Sequence, residues 1–203
     1  MRHALALTVA AGVATLATIG WLGYRLLEQT RLPAADLPPS LISSAPLSPE
    51  QGQATVEAIM ALTLPDLGGR LQALAQWRGK VLVVNYWASW CAPCVEEMPA
   101  FSRLQRQYAA QGVQFVGIGL DEVEKMRIFV KATPVAYPLL VGDAADSQTP
   151  GLQVKGLPYT LVIGRDGRLA SSRLGRLNEA TLEPILQRLS TASAETPSSA
   201  PRR

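Results

Sequence analysis

Histidine occurs once in the 203 residues, at His3, and cysteine twice, at Cys91 and Cys94. These are too few for a structural zinc site, which takes four cysteine or histidine ligands. Charged residues make up 17% of the chain, and the net charge of +3 is scattered rather than gathered in blocks. With no basic tract and no alternation of aromatic and basic residues, no nucleic-acid partner is expected. Hydrophobic residues are plentiful at 48%. They suffice for one well-buried domain with appendages, though not for two once the ends are set aside.

The two cysteines stand where an apolar run, Val81-Leu82-Val83-Val84, gives way to a helical pattern beginning near Pro93. A thiol pair at such a junction reads as redox chemistry. The first turn of a helix starting at Cys91 points unpaired N–H groups and the positive dipole end at that sulfur, which favours thiolate. Cys91 is therefore the expected attacking group. Cys94, one turn further in, is expected to be more buried and to attack a mixed disulfide formed at Cys91. Cu(I) carriage is the other use two thiolates suit, but Pro93 between the cysteines and Trp90 before them favour a redox site. A fixed staple closing so short a loop would stabilise little.

Ala4 to Tyr24 is uncharged, apolar and about the length that crosses a bilayer as a helix, with Trp21 and Tyr24 at the far end where interfacial aromatics sit. Residues 1–30 are read as a membrane anchor, with a cleaved signal peptide as the rival. Either places the domain outside the cytoplasm. Residues 31–53 hold five prolines among serines and alanines and read as a linker. The folded domain is expected over 54–190 and a disordered tail over 191–203.

Within the domain, Met60–Leu64 reads as a strand, Leu71 begins a short return strand, and Ala73–Trp77 makes a helical turn. Lys80–Tyr86 is a central buried strand. Val95, Met98, Phe101, Leu104 and Tyr108 then mark one face of a helix containing Pro99. Val113–Leu120 is a second buried strand. Asp121 is expected to cap a helix reaching Lys131, and Tyr137–Val141 to return to the sheet. Gly151–Lys155 reads as a short helix or turn. Tyr159–Ile163 and Leu169–Leu174 form a hairpin about Arg165-Asp166-Gly167-Arg168. The last helix lies between Asn178 and Leu189, where Pro184 is tolerated if Thr181 is the N-cap. This order is that of an α/β fold with a central mixed sheet flanked by helices.

Trp90-Cys91-Ala92-Pro93-Cys94 resembles the W-C-x-P-C site of the thioredoxin superfamily. Gly79-Lys80-Val81, Asn85-Tyr86-Trp87-Ala88, Glu97-Met98-Pro99 and Gly156-Leu157-Pro158-Tyr159-Thr160 narrow the resemblance to the membrane-anchored TlpA/ResA-like thiol-disulfide oxidoreductases. It runs from about Leu62 to Leu189. It implies a thioredoxin-like fold with an N-terminal β-hairpin extension, and a cis proline at Pro158 beside the cysteines, with Leu157 offering backbone groups to a substrate chain. Asn85 stands where thioredoxin has a buried acid, and Glu97 matches an acidic residue near the cysteines of the TlpA/ResA group. Glu97 is expected to exchange a proton with Cys94; Trp90 forms a wall over the site, and Asn85 packs under the pair. Tyr159 after Pro158 departs from the glutamate usual in the CcmG-like branch.

The resemblance further implies a periplasmic reductant held in the inner membrane by its N-terminal helix. It would take electrons from a membrane-embedded thiol carrier and pass them to disulfide-containing proteins of cytochrome c or copper-site assembly. No cofactor is implied. A Dsb-like thiol oxidant, a redoxin-type peroxidase and a Cu(I) delivery module are the alternatives.

Overall fold

Val81 to Trp87 is a run of seven residues without a single exposed side chain, and the rest of the sheet is laid out around it. In the computed structural model, which describes residues 47–152 and 154–191, this run is β3. Its neighbours are β4 (Val113–Gly119), parallel to it with Val81 opposite Val113, and β6 (Tyr159–Ile163), antiparallel with Asn85 opposite Thr160. Beyond them lie β5 (Leu139–Val141) and β7 (Leu169–Leu174), giving the order β5-β4-β3-β6-β7. This is the mixed sheet that the sequence order implies, in the thioredoxin-like arrangement that the resemblance implies.

Successive strand residues face opposite ways, so β3 feeds two cores. Val81, Val83 and Trp87 pack on α2 (Ala92–Tyr108), through Met98, Phe101 and Leu104, and on Leu182 and Leu186 of the last helix. Leu82, Val84 and Tyr86 face Val56, Ile59 and Met60 of α1 (Pro49–Ala61). Asn85 falls in the first set, under α2, and that placement matters for the site.

The N-terminal hairpin consists of β1 (Thr63–Pro65) and β2 (Leu71–Ala73), followed by a 3-10 turn at Leu74–Trp77. Asp66 bridges to Leu140, so the extension meets the outer edge of β5. The polypeptide upstream departs from expectation. Residues 49–53 of the expected linker, and Met60 and Ala61 of the expected strand, belong to α1. Ser48 caps that helix in a capping box with Gln51, and Pro49 takes the first turn, where its missing N–H costs nothing.

The helix α3 (Val123–Ala132) starts after Glu122, which makes no side-chain cap, so Asp121 is not its N-cap. A short helix, α4 (Ala144–Ser147), forms ahead of the expected turn and is capped reciprocally by Asp143 and Asp146. The last helix, α5 (Glu179–Thr191), is capped by Asn178, whose side chain accepts from the Thr181 N–H at 2.9 Å. Thr181 is thus inside the helix and Pro184 sits in its interior. Among the described residues no helix is long and apolar enough to cross a membrane. The Ala4–Tyr24 span and the expected tail lie outside the described residues, apart from Thr191, which ends α5.

Candidate active site

Strand β3 ends at Trp87 under the head of α2, and the chain between them carries the cysteines there. Cys91 is the N-cap of α2, and its carbonyl accepts from the N–H groups of Cys94 at 3.0 Å and Val95 at 3.1 Å. Pro93 occupies the first turn, where a proline is pre-organised for the helix. The two sulfurs are joined as a disulfide, with Cα atoms 5.3 Å apart. Cys91 is 6% exposed and Cys94 fully buried. Trp90, Ala92 and Pro93 around Cys91 are exposed, so a partner approaches from this side. The ordering of the pair is the expected one. A reduced Cys91 lies against the positive end of a 17-residue helix.

Directly before the pair, Ser89 donates through both its N–H and its hydroxyl to one carboxylate oxygen of Asp121, at 3.0 and 2.5 Å. Asp121 also accepts from the Glu122 N–H at 2.8 Å. Burial opposes its charge, but these hydrogen bonds outweigh that and hold the carboxyl below its ordinary range. Asp121 therefore ties the end of β4 to the loop leading into Cys91.

Glu97 is 2% exposed. Three residues beyond Cys94 on one helix, it is a surface neighbour of that cysteine, with Cβ atoms about 5–6 Å apart by helical geometry. One carboxylate oxygen accepts from Asn85 Nδ2 at 2.8 Å and the other from the Leu177 N–H at 2.8 Å. Asn85 also donates to Thr160 Oγ1 at 3.1 Å, across the β3–β6 pair that sets the two side by side. Burial raises the Glu97 pKa from its ordinary 4.5 to about 7, against the opposing pull of Leu177, Asn85 and Arg176. This carboxyl exchanges its proton near neutral pH. Asn85 thus does more than pack under the cysteines: it holds the carboxyl.

The Leu157–Pro158 peptide bond is cis. Leu157 packs partly buried against both cores, and the Pro158 carbonyl accepts from the Gly175 N–H at 2.8 Å.

A redoxin family model matches residues 51–187. The chain belongs to the redoxin family. Two similar proteins sharpen what this redoxin does. The thiol-disulfide oxidoreductase ResA of Geobacillus thermodenitrificans is 33% identical over 128 residues, 61% of this chain and 71% of that protein. ResA of Bacillus cereus is 30% identical over 125 residues, 61% and 72% of the two chains. Among solved structures, a thioredoxin-related protein of Neisseria meningitidis aligns with TM-score 0.55 and 33% identity, over 62% of this chain and 97% of that one. A Chlorobium tepidum protein assigned as the thiol:disulfide interchange protein DsbE aligns with TM-score 0.58 and 26% identity, over 64% and 92%. This redoxin is a thioredoxin-like thiol-disulfide oxidoreductase, and Cys91–Cys94 is its redox-active disulfide.

Several contributors to this site carry no sequence signal of their own. Thr160 is polar in an apolar strand, which is a weak hint. The Leu177 N–H is a backbone group eighty residues from Glu97. Only the fold reveals it.

Proposed function

We propose that this redoxin reduces disulfides of client proteins outside the cytoplasm, with Cys91 attacking, Cys94 resolving and Glu97 taking the Cys94 proton. The observation that carries the reading is the buried Glu97 carboxyl, with a pKa near 7, next to a fully buried second cysteine. The Cys91 thiolate attacks one client sulfur and expels the other as a thiolate, leaving a Cys91–client disulfide. Cys94 gives its proton to the Glu97 carboxylate, and its sulfur attacks Cys91, so the second client sulfur leaves as thiolate. The client gains two electrons and the enzyme ends as the Cys91–Cys94 disulfide. Leu157 and Pro158 border the site where an extended client backbone pairs, and exposed Trp90 covers its side chains. A membrane-embedded dithiol carrier returns the electrons.

The N-terminal residues 1–30 hold the protein to the inner membrane, and the clients belong to cytochrome c or copper-site assembly. Ala4–Tyr24 and the membrane-anchored resemblance support the first statement, and the resemblance to the TlpA/ResA group supports the second.

Cys94→Ser tests the core of the reading, because the variant is expected to accumulate a mixed disulfide through Cys91 that Cys91→Ser abolishes. The trapped protein names the client. A Cys94→Ser protein that instead turns over peroxide with a recycling thiol identifies a peroxidase, and sinks the exchange mechanism. The potential of the pair decides direction: about −270 mV fits a reductase and about −120 mV an oxidant. Pelleting of the full chain with membranes after alkaline washing, lost on removal of residues 1–30, tests the anchor.

A further inference from the structure

Three consecutive residues between β7 and α5 each touch a different part of the site. The Gly175 N–H donates to the Pro158 carbonyl at 2.8 Å, the Arg176 guanidinium pairs with Glu96 Oε2 at 2.8 Å, and the Leu177 N–H donates to Glu97 Oε2 at 2.8 Å. Gly175 turns the chain here with φ of 87°, a conformation that side-chain-bearing residues rarely adopt. Leu177 is buried among the residues beneath α2, whereas Arg176 and Glu96 are both half exposed. One short turn thus spans the loop where a client docks and the carboxylate beside the resolving cysteine, and a single ion pair ties it to α2.

We infer that Arg176 is a positioning residue for the resolving step: anchored on Glu96, it keeps the Gly175–Leu177 turn closed on α2, so that the Pro158 carbonyl and the Glu97 carboxylate are held by one rigid piece of backbone. The inference rests on the proposed role of Glu97. When the turn is closed, the carboxylate has the Leu177 N–H as donor and the Arg176 cation nearby, and both favour its charged, proton-accepting form. Around Glu97 the other groups are Cys94 and Glu96 on its own helix, Asn85 from β3, Thr160 from β6 through Asn85, and Tyr137 ahead of β5. Among the described residues acting on Glu97, Arg176 supplies the positive charge.

The test is stopped-flow reaction of the reduced full-length protein with 5,5′-dithiobis(2-nitrobenzoate) across pH 5.5–9. The first thionitrobenzoate released reports attack by Cys91, and the second reports attack by Cys94 on the mixed disulfide. Arg176→Ala is expected to move the pH midpoint of the second release up by about half a unit, as loss of one partly screened charge contact implies, which slows that release about 2-fold at pH 7 and about 3-fold at pH 5.5. The first release should be unchanged in rate and midpoint, because the Cys91 N-cap is untouched. Arg176→Lys should restore most of the second rate. Glu96→Gln separates tether from charge: a loosened turn moves the midpoint up, whereas an Arg176 acting by charge alone, freed of its counter-ion, moves it down. A downward shift, equal slowing of both releases, or an unchanged second release overturns the inference. Glu97→Gln keeps the two readings apart. If that variant resolves like the wild type, the Glu97 role itself has failed; if it slows while Arg176→Ala does not, only the tether has.

Discussion

Replacing Glu97 by glutamine should remove most of the pH dependence of stability between pH 5 and 8 in the oxidised protein. The carboxyl titrates at about 7 when folded against 4.5 ordinarily. Between these values the folded chain keeps a proton that the unfolded chain has lost, so stability is full at low pH and falls as pH rises through the interval. At about 1.36 kcal/mol per pH unit, the whole displacement is roughly 3 kcal/mol, of which about 2 kcal/mol falls between pH 5 and 8. The amide of Glu97→Gln has one acceptor for two donors, the Asn85 Nδ2 and the Leu177 N–H, and should cost about 1 kcal/mol wherever the wild-type acid is protonated. Urea unfolding at fixed pH should therefore show the wild type ahead at pH 5, with the gap closing or reversing by pH 8. The difference between the two proteins cancels His3, the one histidine in the chain. A gap that is the same at pH 5 and pH 8 would refute the reasoning, because it would mean that Glu97 does not titrate in this range.

Asn85→Ala removes one of the two donors to Glu97 and should raise its titration midpoint further, which the pH profile of the second thionitrobenzoate release reads directly. Asp121→Ala frees both Ser89 donors and should cost about 1–2 kcal/mol while slowing the first release; Asp121→Asn, which still accepts from Ser89, should recover most of that loss. Gly119→Ala would drive a methyl group into the buried Met126 side chain and should lower stability by about 1–3 kcal/mol, seen as a shifted urea midpoint. Ser48→Ala should cost about 1 kcal/mol through loss of the α1 cap, without effect on either release rate.

The chemistry at the head of α2 is legible in the sequence because residues adjacent in the chain create it. Cys91, Pro93 and Cys94 fix the helix start, and Pro158 is recognisable from its motif. Glu97 is legible as a spacing and Asn85 as a departure, but the bond between them depends on β3 presenting Asn85 to the α2 face. Arg176 and Leu177 approach from the far end of the domain, and nothing local marks them. The start of α1 shows a different failure. Ser48-Pro49-Glu50-Gln51 carries a complete capping signature, yet prolines crowd the preceding stretch and make it read as a continuing linker. Asp121 precedes a helix as a cap would, and only the approach of Ser89 diverts its carboxylate.

The bridge from Asp66 to Leu140 has a consequence for how molecules of this protein can meet. It sets the hairpin against the β5 flank of the five-stranded sheet, so that among the described residues the backbone at Leu140 already has a partner, whereas β7, with exposed Arg173, has no strand beyond it. Stacking without end by strand addition requires two open flanks per molecule. A strand arriving at the β5 flank must first displace the N-terminal hairpin, which guards the central sheet against that route to fibres.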